Sequence, residues 1–306
     1  MSNVIRVGSR SSRLAVWQAN QVVTALQHKG YSSELILIES EGDVNLSAPV
    51  YEIGITGLFT RHLDSALLID KVDIAVHSLK DVPTLLAKDI ALGAVMERGP
   101  SADVLVHNRN IPTQKNSIIA TGSLRRKSQW LHRFPNDEIV PLRGNIDSRL
   151  VKLYNSSWHG AIFAQCALER LAVENVQFEV LDWMVHSPAQ GAVGVCCREQ
   201  DHEMLAVLHQ INHKETSTCV HAERKVMQVL QAGCSLPVGV HAVIVNQHIA
   251  ISAEVLSTDG KQLLTESVQG PHEQSQSLAT QLGKILLEKG AGELLAQRPR
   301  PNHDSY

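Results

Sequence analysis

The sequence predicts an α/β protein built from two doubly wound lobes and a small α+β domain at the C-terminal end. Three observations carry this. Over the first two thirds of the chain, short β-rich runs alternate with longer helical patterns. A break at residues 97–100 (ERGP) divides that alternation into two similar blocks. After Lys214 the order changes to strands joined by short turns, with helices at the ends. Strand–helix alternation needs crossover connections, so both lobes are expected to hold largely parallel sheets facing a common cleft.

In the first block, residues 4–8 read as a strand. Leu14, Trp17, Val22 and Leu26 then recur near helical spacing until Gly30 stops the helix. Residues 34–39 (ELILIE) form the next strand, 58–69 the next helix and 73–77 (DIAVH) a third strand. The second block repeats the pattern with strands at 117–121, 138–142 and 160–164, and helices at 124–133 and 146–154. Cys196 and Cys197, in the apolar run GAVGVCC, would point to opposite faces of a further strand as buried, inert thiols. The last third gives a helix at 215–231 and strands at 238–245 and 248–256 joined by Asn246–Gln247. A third strand at 261–268 and a helix at 273–288 follow, before a Pro-rich tail.

The 306 residues suit two or three domains, and 43% hydrophobic content excludes general disorder. A net charge of −3 argues against a broadly basic nucleic-acid binder. No apolar run approaches the roughly 18 residues of a membrane span, and the first residues lack the pattern of a signal peptide. The cysteines at 166, 196, 197, 219 and 234 show no C-x-x-C spacing, so reduced thiols in a cytoplasmic protein are expected. The histidines give no closed metal pattern: His209, His213, Cys219 and His221 lie near one another in sequence but match no zinc signature, and no metal is expected.

In open α/β sheets ligands bind beyond the carboxyl ends of the strands. There the sequence places Gly8-Ser9-Arg10-Ser11-Ser12, then Ser78-Leu79-Lys80-Asp81, then Thr121-Gly122-Ser123-Leu124-Arg125-Arg126, then Arg143-Gly144-Asn145 with Arg149 a turn later. Glycine lets backbone approach a ligand, hydroxyls and helix N-termini accept anions, and arginine grips carboxylates in a bidentate fork. Each piece has a plainer reading: an N-cap for Ser12 or Ser123, a surface pair for Lys80 and Asp81, a solvated helix face for Arg125 and Arg126. Their convergence at successive strand ends points to a cleft for a small polyanion. Cys234, between Gly233 and Pro237, lies on a loop, and taken alone it is an incidental thiol.

These segments together resemble the porphobilinogen deaminase family over nearly the whole chain. GSRSSRLA (8–15), DIAVHSLKDVPT (73–84), TGSLRR (121–126), LRGNIDSRLVKL (142–153), QGAVGVCCRE (190–199) and AGCSLPVG (232–239) are similar to the family's motifs and occur in the same order. The resemblance implies a cytoplasmic, monomeric transferase of tetrapyrrole biosynthesis. It would join four porphobilinogen units with loss of ammonia, on a dipyrromethane cofactor linked through a thioether to Cys234. It implies Asp81 as the catalytic carboxylate. Lys80, Ser78, Thr121, Ser123, Arg125, Arg126, Gly144 and Asn145 match cofactor-binding positions, and Arg10, Ser12, Arg143, Arg149, Arg170 and Gln190 match substrate-binding ones.

The implied division places residues 1–98 and 192–213 in the first lobe, 99–191 in an inserted second lobe, and 214–306 in the third domain. The lobes would be of the kind found in periplasmic binding proteins. Arg13 stands where the family commonly has Pro, and Glu52 and Thr56 stand where many members carry lysines in a lid loop. Two other readings are a non-catalytic two-lobed protein that binds a dicarboxylate, and an inactive relative of the deaminase. The first leaves Cys234 and Asp81 without a purpose; the second is motivated by the altered lid.

Overall fold

A computed structural model describes residues 4–39, 60–111, 116–233 and 236–296. Cys234, Glu52, Thr56 and the Pro-rich tail lie outside the described residues.

The first sheet has the strand order β2-β1-β3-β10-β4. Its strands are β1 (Ile5–Ser9), β2 (Ser33–Leu37), β3 (Ile74–Ser78), β4 (Ile90–Val95) and β10 (Val193–Arg198). Helix α1 (Arg13–His28) covers one face: Ala19, Val22 and Leu26 recur on one side and pack on Ile5, Val7, Ile74, Val76 and Val195. Helix α2 (Arg61–Leu68) sets Leu63, Ala66 and Leu67 on the other face, against Ala75 and Cys196. Each fully buried Leu or Ile in these layers contributes roughly 1.5–3 kcal/mol. Cys197 joins the α1 side and Cys196 the α2 side, as the alternation of a strand requires. Burial pushes both thiols up, Cys196 to about 12 and Cys197 to about 11, which leaves them inert.

The second sheet repeats the arrangement as β7-β6-β8-β5-β9. It consists of β5 (Asp103–His107), β6 (Ile118–Ala120), β7 (Glu138–Val140), β8 (Gly160–Ala164) and β9 (Phe178–Val180). Around it lie α3 (Leu124–Arg133), α4 (Ile146–Tyr154) and the short α5 (Gln165–Arg170).

Both sheets are mixed, which corrects the expectation of largely parallel ones. In the first, β10 runs antiparallel to β3 and β4; in the second, β5 runs antiparallel to β8 and β9. The cause lies in the connections. Strands β5 and β10 are reached by linkers from the other lobe, not by a helix crossing within their own sheet, so the parallel rule for crossovers does not bind them. The periodicity also gave no sign of β4, β5 or β9. Strand β9 is three exposed residues, too short to show a period.

The linkers run side by side. The Met96 N–H donates to the Val193 carbonyl at 2.9 Å, and the Gly99 N–H to the Gly191 carbonyl at 3.1 Å. Gly191 has φ +84°, and a Cβ there would lie 2.6 Å from the Gly99 oxygen, so both its conformation and its surroundings demand glycine.

Helix α6 (His202–His209) returns along the first lobe, and α7 (Lys214–Val229) enters the third domain. That domain is an antiparallel sheet in the order β11-β12-β13, made of β11 (Val238–Val245), β12 (His248–Leu256) and β13 (Leu263–Pro271). Asn246 and Gln247 take φ +50° and +64°, the left-handed pair of a two-residue hairpin turn. Helices α7 and α8 (Ser275–Glu288), with α9 (Ala291–Ala296), bury Ala222, Val226, Leu282 and Leu286 against Val240, Ile251 and Val255.

Candidate active site

Residues that follow the carboxyl ends of β1, β3, β6, β7 and β8 meet at the seam between the lobes. After β1, the Ser12 hydroxyl caps α1 by accepting from the Ala15 N–H at 3.4 Å. After β3, a single 3-10 turn spans Leu79–Asp81. Leu79 anchors it, fully buried, and Lys80 and Asp81 stand partly exposed on either side. Ser78 is gripped from α1: the Gln18 amide nitrogen donates to its hydroxyl at 2.8 Å, and Gln18 is itself buried. His77 precedes Ser78 on the same strand, and burial with Arg10 close by pulls its imidazole down to about 4.

On the second lobe, Ser123 caps α3, accepting from the Arg126 N–H at 3.4 Å, and the buried Thr121 hydroxyl accepts from the Ser123 N–H at 3.2 Å. Asn145 caps α4 by accepting from the Ser148 N–H at 2.8 Å. Gly144 before it takes φ +117°, a conformation other residues rarely adopt. Arg149, one turn into α4, donates from Nε to the Gly144 carbonyl at 2.7 Å. Burial, with Arg126 and Arg143 nearby, pulls the Arg149 guanidinium down to about 10, against the attraction of Asp81 from the other lobe. Arg143 has a buried Nη1 with no hydrogen-bond partner among the described residues.

Arg125 and Arg126 are committed inward. Arg125 Nη1 lies 2.7 Å from Asp103 Oδ2, and Arg126 donates from Nε and Nη2 to Asp103 Oδ1 at 3.0 and 2.8 Å. Burial alone would raise the Asp103 carboxyl, but the two guanidiniums hold it below the ordinary carboxylate range. Both arginines are nearly buried, so the solvated helix face that charge clustering allowed for them is not what the fold builds. Gln190, also fully buried, donates to Asp103 and accepts from Lys80 Nζ at 3.4 Å. Lys80 is pulled down by burial and by Arg126, while Asp81 and Asp103 oppose that. Arg170 at the end of α5 donates to the Gly191 carbonyl at 2.6 Å, with its guanidinium 5.1 Å from the Trp17 ring centre. The lobes also touch where Leu14 and Ile146 pack with Cys166 and Ala167, and where Arg13 meets Asp147 at 2.9 Å.

Two family profiles cover this chain. Residues 5–206 match the one described as porphobilinogen deaminase, dipyromethane cofactor binding domain, and residues 217–289 match the porphobilinogen deaminase C-terminal domain. The chain belongs to the porphobilinogen deaminase family. A porphobilinogen deaminase from Alkaliphilus metalliredigens is 37% identical over 298 residues, covering 95% of this chain and 94% of that one. One from Pelotomaculum thermopropionicum is 37% identical over 302 residues, covering 96% and 97%. Among solved structures, a periplasmic domain of Bordetella pertussis BvgS superposes with a TM-score of 0.42 at 12% identity, covering 68% of this chain and 86% of that one. A Salmonella typhimurium periplasmic binding protein gives 0.42 at 11%, covering 73% and 97%.

The deaminase's cleft fits a polycarboxylate such as dipyrromethane, whose pyrroles each carry two acids. The orphaned Arg143 nitrogen, the half-buried Arg149 and Lys80, and the capped N-termini of α3 and α4 are all donors for such groups. Sequence reasoning missed Asp103 and Gln18. Asp103 lies at the start of a strand, away from the carboxyl ends that were searched, and Gln18 sits among apolar residues of a helix. Among the described residues, no group of three or more His, Cys, Asp or Glu side chains is placed to hold a metal, and His213 instead caps α7. No described helix is long and apolar enough to cross a membrane.

Proposed function

We propose that this deaminase joins porphobilinogen units head to tail, four per product, with loss of ammonia, and that Asp81 is the carboxylate at the reacting pyrrole. The observation that carries this is the placement of Asp81 on a turn between Lys80 and the facing Arg149: one anion set among cations, at the meeting of two lobes. Lys80, Arg143 and Arg149 would bind the carboxylates of pyrroles, with Arg10, Ser12, Thr121, Ser123, Gly144 and Asn145 completing the donor set. Arg125 and Arg126 would present to the ligand whatever donor capacity Asp103 leaves, and Gln190 and Arg170 would steady the linkers as well as the ligand.

A fixed carboxylate beside a pyrrole N–H stabilises the positive charge that develops as ammonia leaves. It is also placed to move the proton lost from the α-carbon when the new bond has formed. When bound, a dipyrromethane on Cys234 supplies the pyrrole carbon to which units are added. Residues 1–98 with 192–213, 99–191, and 214–306 act as three domains in this reading, supported by the separate sheets. A cytoplasmic location fits the free thiols of Cys166, Cys196, Cys197 and Cys219.

Intact-protein mass spectrometry tests the reading. Protein made in cells supplied with porphobilinogen should carry an adduct of two pyrrole units that Cys234→Ser abolishes; an unmodified Cys234 would overturn it. Asp81→Ala should keep the fold and lose most turnover. Equal consumption of porphobilinogen by wild type and this variant would remove Asp81 from the mechanism.

A further inference from the structure

We propose that Asp103 is a positioning residue, which with Gln190 fixes the direction of an amide bridge between Lys80 of the first lobe and Arg125 and Arg126 of the second. The proposal rests on the reading that Lys80 binds a ligand carboxylate. Asp103 opens β5 and Gln190 lies shortly before β10, so each sits where one of the two linkers meets the second lobe. Gln190 Nε2 donates to the Ser101 carbonyl at 2.7 Å and to Asp103 Oδ1 at 2.9 Å. A carbonyl and an ionised carboxylate are acceptors only, so that end of the amide has to be its NH2 group. The Gln190 oxygen is thereby turned to Lys80 Nζ, 3.4 Å away.

The two arginines keep Asp103 an acceptor only, which reinforces the direction set by the Ser101 carbonyl. Three of their nitrogens hold the Asp103 carboxylate ionised, and both Asp103 and Gln190 are fully buried, so water does not compete. A neutral amide at position 103 could present either end to Gln190. The bridge is then oriented by the Ser101 carbonyl without the carboxylate, and its oxygen is held less firmly toward the Lys80 ammonium. The charged and titratable groups around Lys80 are Asp81 and Asp103, which favour the ammonium, Arg126, which opposes it, and Cys166. Loss of the Asp103 charge removes one of the two carboxylates, so Lys80 gives up its proton at lower pH. It also lets the Lys80 side chain leave the place where Gln190 holds it.

The test uses Asp103→Asn and Gln190→Leu in the holoenzyme. Amines are acylated in the neutral form, so the pH midpoint of Lys80 acetylation by acetic anhydride, read by peptide mass spectrometry, reports its proton directly. The midpoint is expected to fall in both variants, and KM for porphobilinogen to rise about tenfold with a smaller change in kcat. A purely structural role would lower the melting temperature without moving the midpoint. If Asp103→Asn does not fold, Gln190→Leu decides, because it leaves the Asp103–arginine pairs in place. An unmoved midpoint in the folded variants overturns the proposal. Unchanged KM in Lys80→Gln overturns instead the reading of Lys80 as a carboxylate ligand, so the two failures are separable.

Discussion

Glu223 takes both ends of the Arg98 guanidinium, at 2.7 and 3.2 Å, while its carboxylate is completely buried. The same two oxygens accept from the Ala189 N–H at 2.6 Å and the Ala242 N–H at 2.9 Å. One carboxylate thus ties the first linker, the second linker, α7 and β11 together. Removing one partner of a buried pair strands the other charge, which costs about 3–5 kcal/mol. Glu223→Gln should lose stability on that scale in urea unfolding. The double replacement Arg98→Met with Glu223→Leu should be less damaging than either single change; equal or greater damage would show that the pair is not the source of the loss.

Gly191 and Gly30 offer a matched comparison. Both have positive φ, +84° and +86°, but a Cβ at Gly30 meets nothing within 4 Å, whereas one at Gly191 meets the other linker. Gly30→Ala should cost about 1 kcal/mol from backbone strain alone. Gly191→Ala should cost about 2–3 kcal/mol more, as the linkers are forced apart. Thermal melts of the two variants give the difference, and similar losses would refute the close packing of the linkers.

Acid should weaken the fold before most carboxylates titrate. Burial lowers His77 to about 4, with Arg10 adding to the effect, and lowers His186 to about 4. The unfolded chain therefore binds more protons than the folded one between about 6.5 and 4, and stability falls as pH falls through that window. Each histidine accounts for on the order of 3 kcal/mol across it. Their replacement, as in His186→Phe, should flatten the unfolding free energy between those pH values. A slope unchanged by both replacements would contradict these assignments.

Arg13 and Asp147 join the N-terminal ends of α1 and α4 across the cleft, yet both are well exposed. Such pairs contribute about 0.2–1 kcal/mol and are screened by salt. A double-mutant cycle of Arg13→Ala and Asp147→Ala should give a coupling in that range at low salt and none at high salt. Coupling that persists at high salt would mean that the contact is shielded from solvent.

The sequence was most legible where period and chemistry coincide. Val22 and Leu26 on α1, and the Asn246–Gln247 hairpin, follow from local spacing and turn chemistry. The clustering of Lys80, Asp81, Arg143 and Arg149 follows from a rule about strand ends. Illegible were the properties created by the fold's long-range returns. The antiparallel course of β5 and β10 depends on the lobe from which each is entered. The role of Asp103 depends on two arginines more than twenty residues away, whose surplus of charge it partly cancels. A count of charge along a window of sequence cannot register a counter-ion supplied by another strand.

The paired linkers also constrain how the cleft can change width. A single connection would let one lobe swivel about it in any sense. Two strands of backbone bonded to each other at Met96–Val193 and Gly99–Gly191 resist sliding and twisting, as a door hung on two hinges swings in one plane. Any widening of the cleft about these linkers would be a flexing motion that parts Asp81 from Arg149 without shearing one past the other. Room for a longer ligand would then have to come from the angle of that flexing, not from one lobe sliding along the other.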